Sequence, residues 1–278
     1  MKFFKISATE NTFFYIDEKE LVEKGPKLSI NSSDRKKLAR LICSNYGSGA
    51  DGLVIVKSIK NELWDFEWDF YNKDGSSAEM CGNASRGMAL FVRDYLGFTN
   101  KELKFNTIAG PILVKYFDSN FFCVKMPRHQ INTLWKNEKV FEQNLSYSFI
   151  NTGVPHAVIE VLNLKTSELL PIVKHFRFKE EFGKTGANVS FFSVKEGHFE
   201  GITFERGVEG FTRSCGTGVV SIALSIFNNP KFNFKEDHKK VEITTPGGEL
   251  MVELKNSDNY CWLTGPAQLT EVVECLPK

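Results

Sequence analysis

The sequence predicts an α+β fold made of two similar halves, each a β-sheet wrapped on a central helix. Three observations predict it. Short runs rich in β-branched and aromatic residues, bounded by Gly, Pro, Asn or Asp, recur along the chain. Helix signals are few. The order strand, polar loop, Cys-Gly, polar residue, apolar helix occurs twice, at Cys81 and at Cys215, and reads as an imperfect internal duplication.

The strand signals, in order, are LVIVKSI, DFEWDFY, ILVKYF, FFCVKM, HAVIEVL, NVSFFSV, GITFE, VEITT, ELMVEL and CWLTG. The N-terminal MKFFKISATENTFFYID also reads as strand, and it lacks the longer apolar core and small-residue cleavage site of a signal peptide. NSSDRKKLARLICSNYG is an amphipathic helix with Ser33 or Asp34 as candidate caps and Gly47 at its end. KTSELLPIVKHFRF is a second, interrupted by Pro171. The two strongest helices follow Cys81 and Cys215. The second, GVVSIALSIF, is apolar nearly all round, as a helix buried inside its domain should be. A boundary is expected near Pro127 and His129. The first half is then 1–128, with 266–278 returning to it, and the second is 129–265.

Composition removes several function classes. The chain has 278 residues, 42% hydrophobic and 25% charged, an ordinary globular profile with room for two domains. A net charge of +1 points to neither nucleic acid nor an anionic membrane surface as partner. No apolar run is long enough to predict a transmembrane helix, and the expected location is cytoplasmic. Cys43, Cys81, Cys123, Cys215, Cys261 and Cys275 are scattered without a CxxC pair, which argues against a metal site and against a disulfide framework. Cys123 and Cys261 sit in strand-like runs and read as small buried hydrophobes. His129, His175, His198 and His238 match no chemistry and are expected to be exposed. Asp51 and Asp74 read as turn or cap residues.

A cysteine at the mouth of a helix has a chemical use. The first turn carries unpaired N–H groups and a partial positive charge, which bind anions and favour a thiolate. Gly82 and Gly216 permit close backbone approach, and Asn83 and Thr217 add short polar side chains. Two such modules facing each other could hold one carboxylate, with a sulfur on each side of the adjacent α-carbon. Removing a proton from one face and adding one to the other inverts that centre.

NKDGSSAEMCGNASR and ERGVEGFTRSCGTG, supported by GADGLVIV, TGVPHAV and GANVSF, resemble the diaminopimelate epimerase family, and their order and spacing match it over essentially the full length. The resemblance implies two pseudo-symmetric domains. Each is a mixed, mostly antiparallel sheet around a central apolar helix, with the active site in the cleft between them. It implies an isomerase that interconverts LL- and meso-diaminopimelate without pyridoxal phosphate or any other cofactor, in lysine and peptidoglycan precursor synthesis. It makes Cys81 and Cys215 the acid/base pair and His156 and Glu205 their ionisable neighbours. Gly82, Asn83, Gly216 and Thr217 would hold the reacting carboxylate. Asn11, Asn72, Asn188 and Arg206 would grip the distal end, where the guanidinium fork matches a carboxylate. The partner implied is the small-molecule substrate, and the resemblance allows a homodimer. By residue type alone, Arg206 reads as a surface ion pair with Glu205 or Glu209.

Three departures from the family pattern bear on substrate choice. ENTF, Glu10 to Phe13, stands for the common Gly-Asn-Asp-Phe, so Asn11 survives between Glu10 and Thr12. GVPH stands for Gly-Asn-Pro-His, which puts Val154 in place of an amide. The loop from Arg206 to Cys215 is one residue longer. The alternative on the same scaffold is a racemase or epimerase of proline, hydroxyproline or histidine type.

Overall fold

A computed structural model describes residues 1–25, 31–59, 63–116, 120–232, 234, 238–255 and 260–274. Cys275 and the side chain of His238 lie outside the described residues. The chain forms two compact units, Met1–Val124 with Gly265–Lys278, and Lys125–Thr264.

The elements, in chain order, begin with β1 (Lys2–Ala8), β2 (Asn11–Asp17), α1 (Glu18–Lys24), α2 (Ser32–Asn45), β3 (Gly52–Ser58) and β4 (Phe66–Asn72). Then come α3 (Gly82–Tyr95), β5 (Glu102–Thr107), β6 (Gly110–Tyr116), β7 (Phe121–Lys125), β8 (Gln130–Val140), β9 (Gln143–Asn151) and β10 (Pro155–Glu160). After these are α4 (Thr166–Phe176), β11 (Asn188–Lys195), β12 (His198–Glu205), β13 (Gly210–Thr212) and α5 (Gly216–Phe227). The last are β14 (His238–Thr245), β15 (Gly248–Lys255), β16 (Cys261–Pro266) and β17 (Gln268–Glu274).

The pairing order makes the duplication explicit. In the first unit it is β17–β1–β2–β3–β4–β5–β6–β7, with β2/β3 and β4/β5 parallel and the other neighbours antiparallel. In the second it is β8–β9–β10–β11–β12–β14–β15–β16, with β10/β11 and β12/β14 parallel. The two orders correspond strand for strand. Parallel neighbours need a crossover, usually helical. The β4-to-β5 crossover carries α3 and the β12-to-β14 crossover carries α5, so the two Cys-Gly helices are equivalent elements.

Both are core helices. Every residue of α3 from Gly82 to Val92 is buried, and so is every residue of α5 except Thr217. Tyr15 of β2 stacks on Phe91 of α3 with ring centroids 5.8 Å apart. Its hydroxyl donates to the Ala84 carbonyl at 2.8 Å. Gly87 permits this approach, because a Cβ there would lie 2.2 Å from the Tyr15 oxygen.

Several local expectations change. The α2 cap is Asn31, not Ser33 or Asp34. Its extended backbone lets its side-chain oxygen accept the Asp34 N–H at 3.0 Å, which places Asp34 in the first turn. Helix α4 runs through Pro171 instead of breaking there. Ser167, whose carbonyl would face the missing N–H, is exposed. His129 is half-buried, its Nδ1 without a partner among the described residues. Strands β5, β8, β9, β13 and β17 and helix α1 carry no legible signal. QINTLWKNEKV, for example, is mostly exposed along β8 and shows no alternation. Cys43, Cys123 and Cys261 are buried in the core. Among the described residues no helix is long and apolar enough to cross a membrane.

Candidate active site

In the first unit, Cys81 is the half-buried N-cap residue of α3, with extended backbone at φ −146° and ψ 124° and no side-chain cap bond. Its carbonyl accepts from Ser85 N at 2.9 Å and Ser85 Oγ at 2.8 Å, which starts the helix. No cap bond from the Cys81 side chain occupies the first-turn N–H groups of Gly82, Asn83 and Ala84. Asn83 is buried, and its Nδ2 donates to Asn11 Oδ1 at 3.1 Å. Asn11 Nδ2 in turn donates to Asp51 Oδ2 at 2.7 Å, and Thr12 N donates to the same oxygen at 2.8 Å. Asp51 is thus a clamp on the Asn11 strand and more than a turn residue. Asn11 follows a two-residue hairpin turn in which Thr9 and Glu10 have φ of 51° and 61°. That conformation favours glycine.

Asn72 ends β4 opposite Gly52, beside Asp51, and is exposed; its Nδ2 donates to Ser76 Oγ at 2.9 Å and not to this group. Asp74 accepts from Ser76 N at 2.8 Å in the turn that follows. Sequence reasoning missed Arg86, which is fully buried. Its Nη2 donates to Asn83 Oδ1 and to Thr9 Oγ1, both at 2.9 Å, and its Nε to the Pro266 carbonyl at 3.3 Å. The available signal was one charged side chain inside the apolar helix run ASRGMALF.

The second unit gathers more of the predicted residues. Cys215 is the buried N-cap of α5, again without a side-chain cap bond. Burial pushes its thiol well above the ordinary value, and the negative charge of Glu205 adds to this. Glu205 is hydrogen-bonded to Cys215 and Thr212; burial raises its own pKa, and those two bonds oppose the rise. Thr217 Oγ1 lies 3.4 Å from Cys215 Sγ and 3.1 Å from His156 Nε2. Gly218 lets α5 lie close against β12, since a Cβ there would lie 2.2 Å from Thr203 Oγ1.

The hydrogen bonds assign the histidine tautomer. The Arg206 backbone N–H donates to Asn188 Oδ1 at 2.7 Å, so the amide nitrogen of Asn188 faces His156 Nε2, 3.2 Å away. Nε2 is therefore an acceptor and the proton sits on Nδ1, 2.9 Å from Ser190 Oγ. Burial, with a smaller push from the Arg206 charge, lowers the His156 pKa to about 3, and the ring is neutral. Thr217 can then only donate to Nε2, and the S–H of Cys215 goes to the Glu205 carboxylate.

Arg206 makes neither of the ion pairs its residue type suggested. Its Nη1 donates to Thr185 Oγ1 at 2.7 Å and to the Gly186 carbonyl at 3.2 Å. Glu209 is held instead by Arg177, whose Nη2 donates to it at 2.5 Å, and this ties down the lengthened loop. Val154 lies in the turn before β10, its carbonyl accepting from Thr152 N at 3.1 Å. Among the described residues, no group of three or more His, Cys, Asp and Glu side chains is arranged to hold a metal ion.

A sequence profile of the diaminopimelate epimerase family matches residues 3–128 and 148–270, which include both cysteine modules. The chain belongs to the diaminopimelate epimerase family. It is 33% identical to the diaminopimelate epimerase of Aquifex aeolicus (strain VF5), over 95% of this chain and 94% of that one. It is 35% identical to the diaminopimelate epimerase of Campylobacter jejuni subsp. jejuni serotype O:6, over 90% of this chain and 89% of that one. The chain is accordingly an epimerase, an isomerase of the diaminopimelate epimerase family. Solved structures share its fold at much lower identity. A Bacillus anthracis phenazine biosynthesis protein of the PhzF family superposes with a TM-score of 0.76 at 13% identity, covering 100% of this chain and 99% of that one. A hydroxyproline epimerase from Agrobacterium vitis gives 0.67 at 15% identity, covering 98% and 90%.

Proposed function

We propose that this epimerase interconverts LL- and meso-diaminopimelate with Cys81 and Cys215 as its acid/base pair and no cofactor. One observation carries the reading. Each unit presents a cysteine as the N-cap of a buried helix, with no side-chain cap on the first-turn N–H groups. Those groups favour a carboxylate and a sulfur beside it.

In the proposed cycle one thiolate takes the α-proton, the carboxylate and α-carbon share the resulting negative charge, and the other thiol protonates the opposite face. The proton count is conserved, and the thiol and thiolate exchange places. Each well-placed donor contributes roughly 2.7–4 kcal/mol to holding such charge. Glu205, Thr217 and His156 serve Cys215. Gly82, Asn83, Gly216 and Thr217 bind the reacting carboxylate, and Asn11, Asn72, Asn188 and Arg206 recognise the distal end. Rotation of Arg206 away from Thr185 and Gly186 would supply its fork to the distal carboxylate. The same reading includes a cytoplasmic enzyme in lysine and peptidoglycan precursor synthesis, and a homodimer, which light scattering would test.

The test is proton NMR of LL-diaminopimelate with the enzyme in heavy water. The expected product is the meso form with deuterium at one α-carbon, formed by the parent and by neither Cys81→Ala nor Cys215→Ala. Meso product formed by either variant would overturn the two-thiol mechanism, whereas exchange without inversion at the remaining sulfur would not. No exchange by folded, reduced parent would overturn the substrate assignment.

A further inference from the structure

We propose that Arg86 is a positioning residue for this reaction: it locks Asn83 and the Thr9 turn in place, and its charge makes the start of α3 the seat of a thiolate at Cys81. The inference rests on the two-thiol reading above.

A buried cation is costly, and proteins normally set a carboxylate beside it. Arg86 is fully buried, yet its bonds go only to neutral oxygens, the Thr9 hydroxyl, the Asn83 amide and the Pro266 carbonyl. Its Nη1 has no partner among the described residues. Burial lowers its pKa to about 10, which leaves it a cation at neutral pH. Its bond to Asn83, two residues after Cys81, sets the guanidinium at the first turn of α3, and the ionisable groups that bear on it are Cys81, at the start of the same helix, and Tyr15 of β2. Burial keeps the Tyr15 hydroxyl protonated, and it donates to the Ala84 carbonyl. The sulfur is left as the anion that offsets the charge.

The two halves thereby differ in sign. Cys81 shares its surroundings with a guanidinium, and Cys215 shares its own with the carboxylate of Glu205. One thiolate and one thiol at rest is the state that a one-base, one-acid inversion requires. The same guanidinium grips Asn83 Oδ1, while Asn83 holds Asn11, so one side chain sets both the charge and the geometry of this half-site.

The experiment measures alkylation of Cys81 and Cys215 separately in the intact enzyme, by iodoacetamide labelling and peptide mass spectrometry. In the parent, Cys81 should titrate below the free-cysteine value of about 8.5 and Cys215 above it. Arg86→Gln should slow Cys81 labelling at neutral pH at least about tenfold, with Cys215 labelling unchanged, and Arg86→Lys should restore most of the rate. A folded Arg86→Gln enzyme that labels at Cys81 like the parent overturns the proposal. So does parental Cys81 titrating above the free value, whether or not the variant folds. These readouts need no substrate. An enzyme that shows them but leaves diaminopimelate unchanged would refute the substrate assignment and keep the role of Arg86 toward the sulfur.

Discussion

His156 Nε2 and Thr217 Oγ1 lie 3.1 Å apart, and the threonine oxygen is also 3.4 Å from Cys215 Sγ. A single hydroxyl therefore joins the buried thiol to a neutral imidazole whose proton is on the far nitrogen. Thr217→Val keeps the shape and removes the hydroxyl. Turnover of LL-diaminopimelate should fall about tenfold or more, in line with loss of one hydrogen bond at a reacting centre, while Thr217→Ser stays near the parent. Parental turnover in the valine variant would show that the hydroxyl is only packing.

Glu205 should be felt in the reactivity of Cys215. Its charge is the second cause, after burial, that pushes this thiol up. Glu205→Gln removes the charge and nearly preserves the shape. Iodoacetamide should label Cys215 faster in the variant than in the parent at pH 8 to 9, whereas epimerisation should decline. Equal labelling rates would mean that burial alone controls the thiol.

The neutral His156 has a cost that appears in acid. Its folded-state pKa, about 3, lies below the ordinary 6.5. As pH falls below 6.5 the unfolded chain takes up a proton that the folded chain refuses, so stability is complete above that pH and is lost progressively toward 3. The slope for one such proton is about 1.4 kcal/mol per pH unit. Urea unfolding between pH 6.5 and 5 should show this slope, less an opposite contribution from Glu205, whose raised pKa lets the folded chain take up a proton first. His156→Gln should lose most of it, and half-buried His129, also shifted down, leaves a residue of the same sign.

Glu10 occupies a backbone conformation with φ 61° in the turn that leads to Asn11. The family's glycine at this place has a conformational reason. Glu10→Gly should raise stability by about 1 kcal/mol and leave the Asn11–Asp51 bond intact. A thermal midpoint that drops instead would mean that Glu10 makes contacts worth more than the strain.

The sequence by itself determined the α+β class, the duplication, the two helices that start after Cys81 and Cys215, and the family. These depend on local composition and spacing: apolar helix runs, β-branched strands, and paired motifs in a set order. Only the tertiary structure decided the strand order, with parallel pairs at equivalent places in each unit, because pairing joins residues far apart in the chain. The same holds for strands such as β8 and β17, whose exposed, mixed faces carry no period, and for Asn31 as the α2 cap. In the candidate site, the place of Cys81 and Cys215 at the helix starts is legible from their neighbours, since an N-cap position is a local property. The partners of Asn11, Asn83, His156, Asn188 and Arg206 are not. Nor is Arg86, whose burial without a carboxylate follows from packing against Thr9, Asn83 and Pro266. A hydrogen bond or a buried charge is set by what folding brings within about 3 Å, and that distance has no expression in residue order.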